Sequence, residues 1–219
     1  MKEWLSAALA LALTTLAPPA LTVPATPPAP AGAVGNGSAP AGLRFAGERR
    51  GTAGRPADGP ERRLLAAVNR ERARRGLALL AADSRLDAAA AAHSRAMAER
   101  GFFDHCDPDT GSLPWRRVED AGYLWRAVGE NVAAGRSDAA DVLAQWLGSR
   151  GHRDNLLSRD FVETGIGYAS DPDDRPGVRL DRDGDCAPDR RGGPYRHYWT
   201  MVFAAPSRHD AGGREEGER

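Results

Sequence analysis

The chain has 219 residues, 30 basic and 30 acidic side chains, a formal net charge of +0 and 41% hydrophobic residues. That length admits one domain, or two only if most of it folds. The charge balance supplies no overall field toward nucleic acid or an anionic membrane, so no nucleic-acid partner is expected, and arginines alternating with acids read as a solvated, salt-bridged surface.

The apolar run Leu5 to Leu16 follows Lys2, with the small-residue pattern Val23-Pro24-Ala25 downstream. Residues 1–25 therefore read as a secretory signal cleaved near Ala25. The run is short for a membrane span, and no cysteine follows it closely enough for a lipid anchor. An uncleaved signal anchor is the alternative, since Glu3 offsets Lys2. The mature protein is expected outside the cell or in the envelope, with no transmembrane span. Residues 26–60 are Pro, Ala and Gly with few large apolar side chains, too little to offset chain entropy, and read as a disordered linker. Residues 207–219 form a similar charged, Gly-rich tail, leaving 61–206 as the folded unit.

The first helix is expected from Glu61 to Arg75, with Leu64, Leu65 and Val68 on one stripe, N-R-E-R-A-R-R on the other face and Gly76 as the stop. A second helix starts at Asp83-Ser84, a good capping pair, runs Leu86, Ala90, His93 and Met97 along one face and ends at Gly101. His93 reads as a buried core histidine. Phe102 and Phe103 then anchor a loop that carries His105. Pro114 opens a short helix to Ala121. Gly129-Glu130-Asn131-Val132-Ala133 leads into an amphipathic helix from Ser137 to Arg150, stopped by Gly151, after which His152 to Leu157 forms a short turn or helix. Strands are expected at Glu163–Ala169, Val178–Leu180 and His197–Ala204. Helices before three strands that lie close in sequence indicate an α+β class: a three-layer α-β-α sandwich around a small antiparallel sheet.

Cys106 and Cys186 are the two cysteines. In an exported protein they are expected to form one disulfide, with a nucleophilic Cys106 beside His105 as the alternative. His105, Glu130 and His152 are read at loop or helix-end positions beside glycines, where a scaffold presents functional groups. Two imidazoles and a carboxylate could ligate a divalent metal such as Zn2+ with an open position, act as an acid/base pair, or brace loops as a buried polar network. Asp181, Asp183, Asp185 and Asp189 alternate around Gly184 and resemble a Ca2+ loop, although the twelve-residue pattern and its terminal Glu are missing. A solvated hairpin is the plainer reading.

The ordered motifs L-x-x-V-N-x-x-R (65–72), H-S-x-x-M-A (93–98), F-x-H (103–105), G-E-N-V-A (129–133), W-L-x-S-x-G-H-R-x-N-L-L (146–157), G-I-G-Y (165–168) and Y-W-T-M-V-F (198–203) resemble the bacterial branch of the CAP superfamily. These are the SCP domains of cysteine-rich secretory, antigen 5 and pathogenesis-related class 1 proteins. The resemblance spans 61–206 and implies a secreted α-β-α sandwich with a surface cleft. Eukaryotic members carry two His and two Glu there, which maps the first pair onto His105 and Glu130. Ser149 stands where the second Glu falls, and Tyr198 or His197 meets the second His position. His152 in G-H-R belongs to the bacterial pattern and can fill the gap.

The resemblance implies an extracellular module with a lipid, glycan or protein ligand, and a non-enzymatic binding domain is the first expectation. A hydrolase using metal-bound or Glu130-activated water, with His105 or His152 as proton shuttle, is the second. No G-x-S-x-G elbow accompanies it. A structural envelope or spore-coat component is the third.

Overall fold

The computed structural model describes residues 59–181 and 184–208. The expected signal, nearly all of the 26–60 linker, most of the tail, and Arg182 and Asp183 lie outside the described residues.

Helix α1 (Pro60–Arg74) opens on a proline, whose missing N–H costs nothing at a helix start, and buries Leu64 and Val68. Helix α2 (Ser84–Arg100) is capped by the Asp83 carboxylate, which accepts the Arg85 and Leu86 N–H groups. It ends at Gly101, whose φ of 63° lets its N–H reach back to the Met97 carbonyl. Helix α3 (Pro114–Asp120) buries Val118. Helices α4 (Ala139–Gly148) and α5 (Arg150–Leu157) correct one expectation: the break between them falls at Ser149, extended at φ −96° and ψ 129°, and not at Gly151, which lies inside α5.

The strands differ more from expectation. They are β1 (Ala81–Ala82), β2 (Phe102–Phe103), β3 (Trp125–Ala134), β4 (Glu163–Ser170), β5 (Val178–Leu180), β6 (Arg190–Gly192) and β7 (His197–Pro206). The main sheet has the order β1-β4-β7-β3, and β2-β5-β6 form a separate one. β3 and β4 run antiparallel to β7, whereas β1 runs parallel to β4. Thus β5 does not join the main sheet, and α4 and α5 do lie between two of its strands. The class is α+β with helices on both faces.

Strand β7 shows why. Tyr198, Val202 and Ala204 pack toward α2 and α3, while Trp199, Met201 and Phe203 pack toward α1, α4 and α5. A strand covered on both faces has no polar alternate positions, so it reads as a continuous apolar run. Close packing on the α2 side depends on Gly165 and Gly167 of β4. A Cβ at Gly165 would lie 2.0 Å from the Leu86 carbonyl carbon, and one at Gly167 would lie 2.3 Å from that of Ala90.

The Gly129–Ala133 stretch, read as the opening of a helical unit, lies inside β3. Its burial is nearly continuous from Glu130 to Ala133, so no period-two pattern marks it. β3 is the last strand of the sheet, and side chains close its outer edge. The Val132 carbonyl accepts Trp146 Nε1 at 3.0 Å, and the Glu130 carbonyl accepts Asn155 Nδ2 at 3.1 Å.

Candidate functional site

Glu130 faces the α2 side of β3 and is 6% exposed. An isolated carboxylate there would be strongly disfavoured, and two donors compensate it. His105 Nδ1 meets Oε1 at 2.8 Å, and Arg117 Nη2 donates to Oε2 at 2.7 Å. Arg117 also donates to the carbonyls of Ser112 at 2.7 Å and His105 at 3.0 Å, so α3 fixes both ends of the His105 loop. Burial pushes the Glu130 carboxyl upward, but the charges of His93 and Arg117 and the His105 hydrogen bond outweigh it and hold it at about 2. For His105, burial works against the cation, while the hydrogen bond and charge of Glu130 raise the pKa overall.

His152 comes from the other face of the sheet, in the first turns of α5. Its ring centroid is 6.4 Å from that of His105 and 6.5 Å from Trp146. Burial, then the His105 charge, lowers its pKa. The two imidazoles are thus pushed apart in basicity, one toward the cation and the other toward the neutral base. Asn131 and Asn155 hold α5 against β3: Asn131 Nδ2 donates to the His152 carbonyl at 2.9 Å, and Asn155 Nδ2 to Asn131 Oδ1 at 2.9 Å. The three residues singled out from the sequence therefore meet around the outer strand, with Glu130 in its middle and not at a loop or helix end.

His105 and His152 line a cleft of about 530 Å³ whose walls include Phe103, Val132, Leu180 and Tyr195. Cys106 and Cys186 are disulfide-bonded with a Cα–Cα distance of 5.5 Å, which joins the Asp-rich loop to the His105 segment and removes the nucleophilic-thiol alternative. In that loop the Asp181 oxygens accept the N–H groups of Gly184 at 2.9 Å and Cys186 at 2.7 Å, and Asp185 accepts that of Ala187 at 2.8 Å. Asp189 is exposed. Those carboxylates organise the turn, and Asp183 lies outside the described residues. Among the described residues no three His, Cys, Asp or Glu side chains converge as a metal site.

Sequence reasoning missed Arg117, Asn131 and Asn155. Arg117 looked like one more solvating arginine; its position directly before buried Val118 places it at the edge of the apolar stripe of α3, which was the available signal. His93 is a brace: its Nε2 donates to the Asp104 carbonyl at 2.8 Å, beside His105. Burial dominates and pushes its pKa down from 6.5 to about 4.

This depression makes stability pH-dependent. The folded pKa lies below the unfolded one, so His93 contributes stability that is present above 6.5 and lost as pH falls through about 4. The loss is ~3 kcal/mol at 1.36 kcal/mol per pH unit. His105 has the opposite sign, its contribution being complete below 6.5 and lost as pH rises through its raised value. Urea unfolding of the wild type and His93→Gln at pH 7 and pH 4.5 separates them. The variant keeps a donor for Asp104 and is expected to lose much less stability on acidification; an equal loss in both would show that His93 does not carry the effect.

An α-β-α sandwich with two histidines in a cleft beside its outer strand, and a buried Glu behind one of them, defines a class, and the family follows from its relatives. Residues 65–203 match the profile of the cysteine-rich secretory protein family, CAP, and the chain belongs to that family. It is 35% identical over 108 residues to YkwD of Bacillus subtilis (strain 168), covering 49% of this chain and 42% of that protein. It is likewise 35% identical over 107 residues to the membrane protein YlbC of the same organism, covering 49% of this chain and 31% of that one. The match thus spans less than half the length of either relative. Among solved structures, an extracellular protein containing an SCP domain from Bacillus anthracis str. Ames is similar with a TM-score of 0.51 and 28% identity, covering 67% of this chain and 40% of that one. An outer surface protein of Borrelia burgdorferi shares the fold with a TM-score of 0.53 at 17% identity, covering 66% of this chain and 90% of that one. No helix among the described residues is long and apolar enough to cross a membrane.

Proposed function

We propose that this protein is an exported, non-enzymatic binding module whose cleft takes an extracellular ligand, with an apolar part against Phe103, Val132, Leu180 and Tyr195 and a polar group or metal at the two imidazoles. The observation that carries this reading is the engagement of both Glu130 carboxylate oxygens, one by His105 and one by Arg117. A general base needs a pKa near the working pH, and Glu130, with a cationic or imidazole donor on each oxygen, is held far below it at about 2. What it can do is orient: a carboxylate on one ring nitrogen fixes the tautomer and turns the other toward a ligand, the arrangement found behind metal-bound histidines. A Zn2+ ion in the cleft would use His105 and His152 directly, with Glu130 behind His105.

Calorimetry with zinc, and with calcium as a comparison, on the wild type, His105→Ala, His152→Ala and Glu130→Gln tests this, with circular dichroism as the folding check. Zinc binding is expected in the wild type, absent in both folded histidine variants and about 10- to 100-fold weaker in Glu130→Gln. Calcium binding unaffected by these variants would assign the metal to the Asp181 loop instead. Peptide or ester hydrolysis abolished by Glu130→Gln would overturn the non-enzymatic reading.

A further inference from the structure

Side chains close the main sheet along much of its two edges. On β3, Trp146 and Asn155 take the outward carbonyls of Val132 and Glu130. On the opposite side Asn69 does the same for Leu80, directly before β1. Its Oδ1 accepts the Leu80 N–H at 2.9 Å, and its Nδ2 donates to the Leu80 carbonyl at 3.0 Å. β1 itself covers only Glu163 and Thr164 of β4, because Asp83 turns the chain away as the cap of α2. β4 runs on uncovered to Ser170.

Even-numbered residues of β4 turn their backbone groups toward this side. The Thr164 carbonyl accepts the Asp83 N–H at 3.0 Å, and the Ile166 N–H donates to Asp87 Oδ1 at 2.8 Å. Odd-numbered residues face β7, a series that the Asp171 N–H continues toward the Arg196 carbonyl at 2.9 Å. Tyr168 and Ser170 belong to the outward series, and among the described residues their N–H groups and the Tyr168 carbonyl have no hydrogen-bond partner. The bordering stripe of α2 explains the difference. Asp87 reaches Ile166, but one turn later stands Ala91, which has no polar atom to offer Tyr168, and a turn beyond it Arg95.

A cavity of about 460 Å³ opens at this stretch, lined in part by Arg95, Glu99, Tyr168, Ser170 and Asp171. It holds two carboxylates against one guanidinium, and among the described residues none of the three is ion-paired. A donor, an acceptor and a second donor spread over two strand residues, ~7 Å, match the period of an extended backbone.

We infer that the β4 edge at Tyr168–Ser170 is a peptide-docking site: an extended segment of a partner protein adds there as a strand, with a lysine or arginine side chain over the Glu99 and Asp171 carboxylates. A second copy of this chain is the poorer occupant, since it would bring the same excess of carboxylates to the edge. The site shares no residue with the cleft and does not rest on the function proposed for it.

The test is fluorescence anisotropy with a short labelled peptide of alternating threonine and lysine, and with its threonine–glutamine counterpart. Amide hydrogen exchange followed by NMR locates the contact. The lysine peptide is expected to bind and to slow exchange of the Tyr168 and Ser170 amides about 10-fold or more. Ser170→Pro removes an outward donor while sparing the β7 ladder and is expected to weaken binding about 10-fold, whereas Ser170→Ala keeps the N–H and is expected to stay within about twofold of wild type. Glu99→Lys is expected to weaken the lysine peptide about threefold and to leave the glutamine peptide unchanged. Circular dichroism checks that each variant folds, and the exchange measurement on the wild type stands without them. No binding at ~1 mM peptide, equal loss in both Ser170 variants, or binding without protection of the two amides would each overturn the assignment. Protection that appears without peptide and rises with protein concentration would give the edge to a second copy instead.

Discussion

Gly167→Val is expected to leave no cooperatively folded protein. Even Gly167→Ala is expected to cost more than ~4 kcal/mol, above the ordinary range for overpacking. The reason is what a new Cβ would meet. At Gly167 the obstacles are the Ala90 carbonyl carbon and oxygen, both at 2.3 Å, and at Gly165 they are the Leu86 carbonyl carbon at 2.0 Å and the Asp87 nitrogen at 2.1 Å. A side chain could rotate away, whereas a helix backbone can retreat only as a unit. Retreat of α2 would unseat Leu86, Ala90 and Met97, all at 0% exposure, and would break the Ser94 Oγ to Thr200 Oγ1 hydrogen bond of 2.9 Å. Ile166→Val, one residue away, is the matched control and is expected to lose only ~1 kcal/mol. Urea unfolding followed by circular dichroism measures all three; a Gly167→Ala variant within ~1 kcal/mol of wild type would mean that α2 does not rest on the β4 backbone in solution.

Arg72→Leu is expected to lose ~4 kcal/mol, and Arg72→Lys at least half of that. Arg72 is 1% exposed, and its hydrogen bonds among the described residues go to backbone carbonyls. Its Nε donates to the Ala78 carbonyl at 2.8 Å, Nη1 to those of Leu156 at 2.8 Å and Ser158 at 3.0 Å, and Nη2 to that of Phe161 at 3.4 Å. One planar fork thus gathers the turn after α1 and the chain leaving α5, the helix that carries His152. Leucine would leave those acceptors without donors, each at ~1–3 kcal/mol where water cannot replace it. Lysine has three donors on a compact head and cannot span the same four acceptors. Burial lowers the Arg72 pKa but leaves it charged at any ordinary pH. Calorimetric unfolding is expected to show melting temperatures lowered by ~8–16 °C for Arg72→Leu. A lysine variant as stable as the wild type would show that fork geometry is unimportant and only the charge matters.

Helices were legible because their signals are local. Asp83 before a stripe, Pro114 at a first turn and Gly101 at a last one fix α2 and α3 within about a residue. Two-residue strands such as β1 and β2 have no local period, and their existence depends on partners far along the chain: Ala81 beside Glu163, Phe102 beside Arg179. β3 was obscured for a different reason. Glu130 and Asn131 are polar yet buried, and their compensation comes from His105, Arg117, His152 and Asn155 on three other elements. A pattern rule that places polar residues outside cannot anticipate partners at separations of 13 to 25 residues. The same separation explains why the chemical types at the site were visible while the guanidinium and amides that hold them were not.

Trp146 and Asn155 have a consequence for how copies of this protein meet. An outer strand with open carbonyls is a template on which another chain can add, and proteins in crowded or polymer-rich surroundings must block it. Here the block consists of side chains from α4 and α5, and α5 also brings His152 to the cleft, so the cleft and the protection against self-association share one helix. Substitutions that loosen α5 to enlarge the cleft would also bare the strand beneath it, and strand-swapped dimers or fibres would set the limit on how far that cleft can be remodelled.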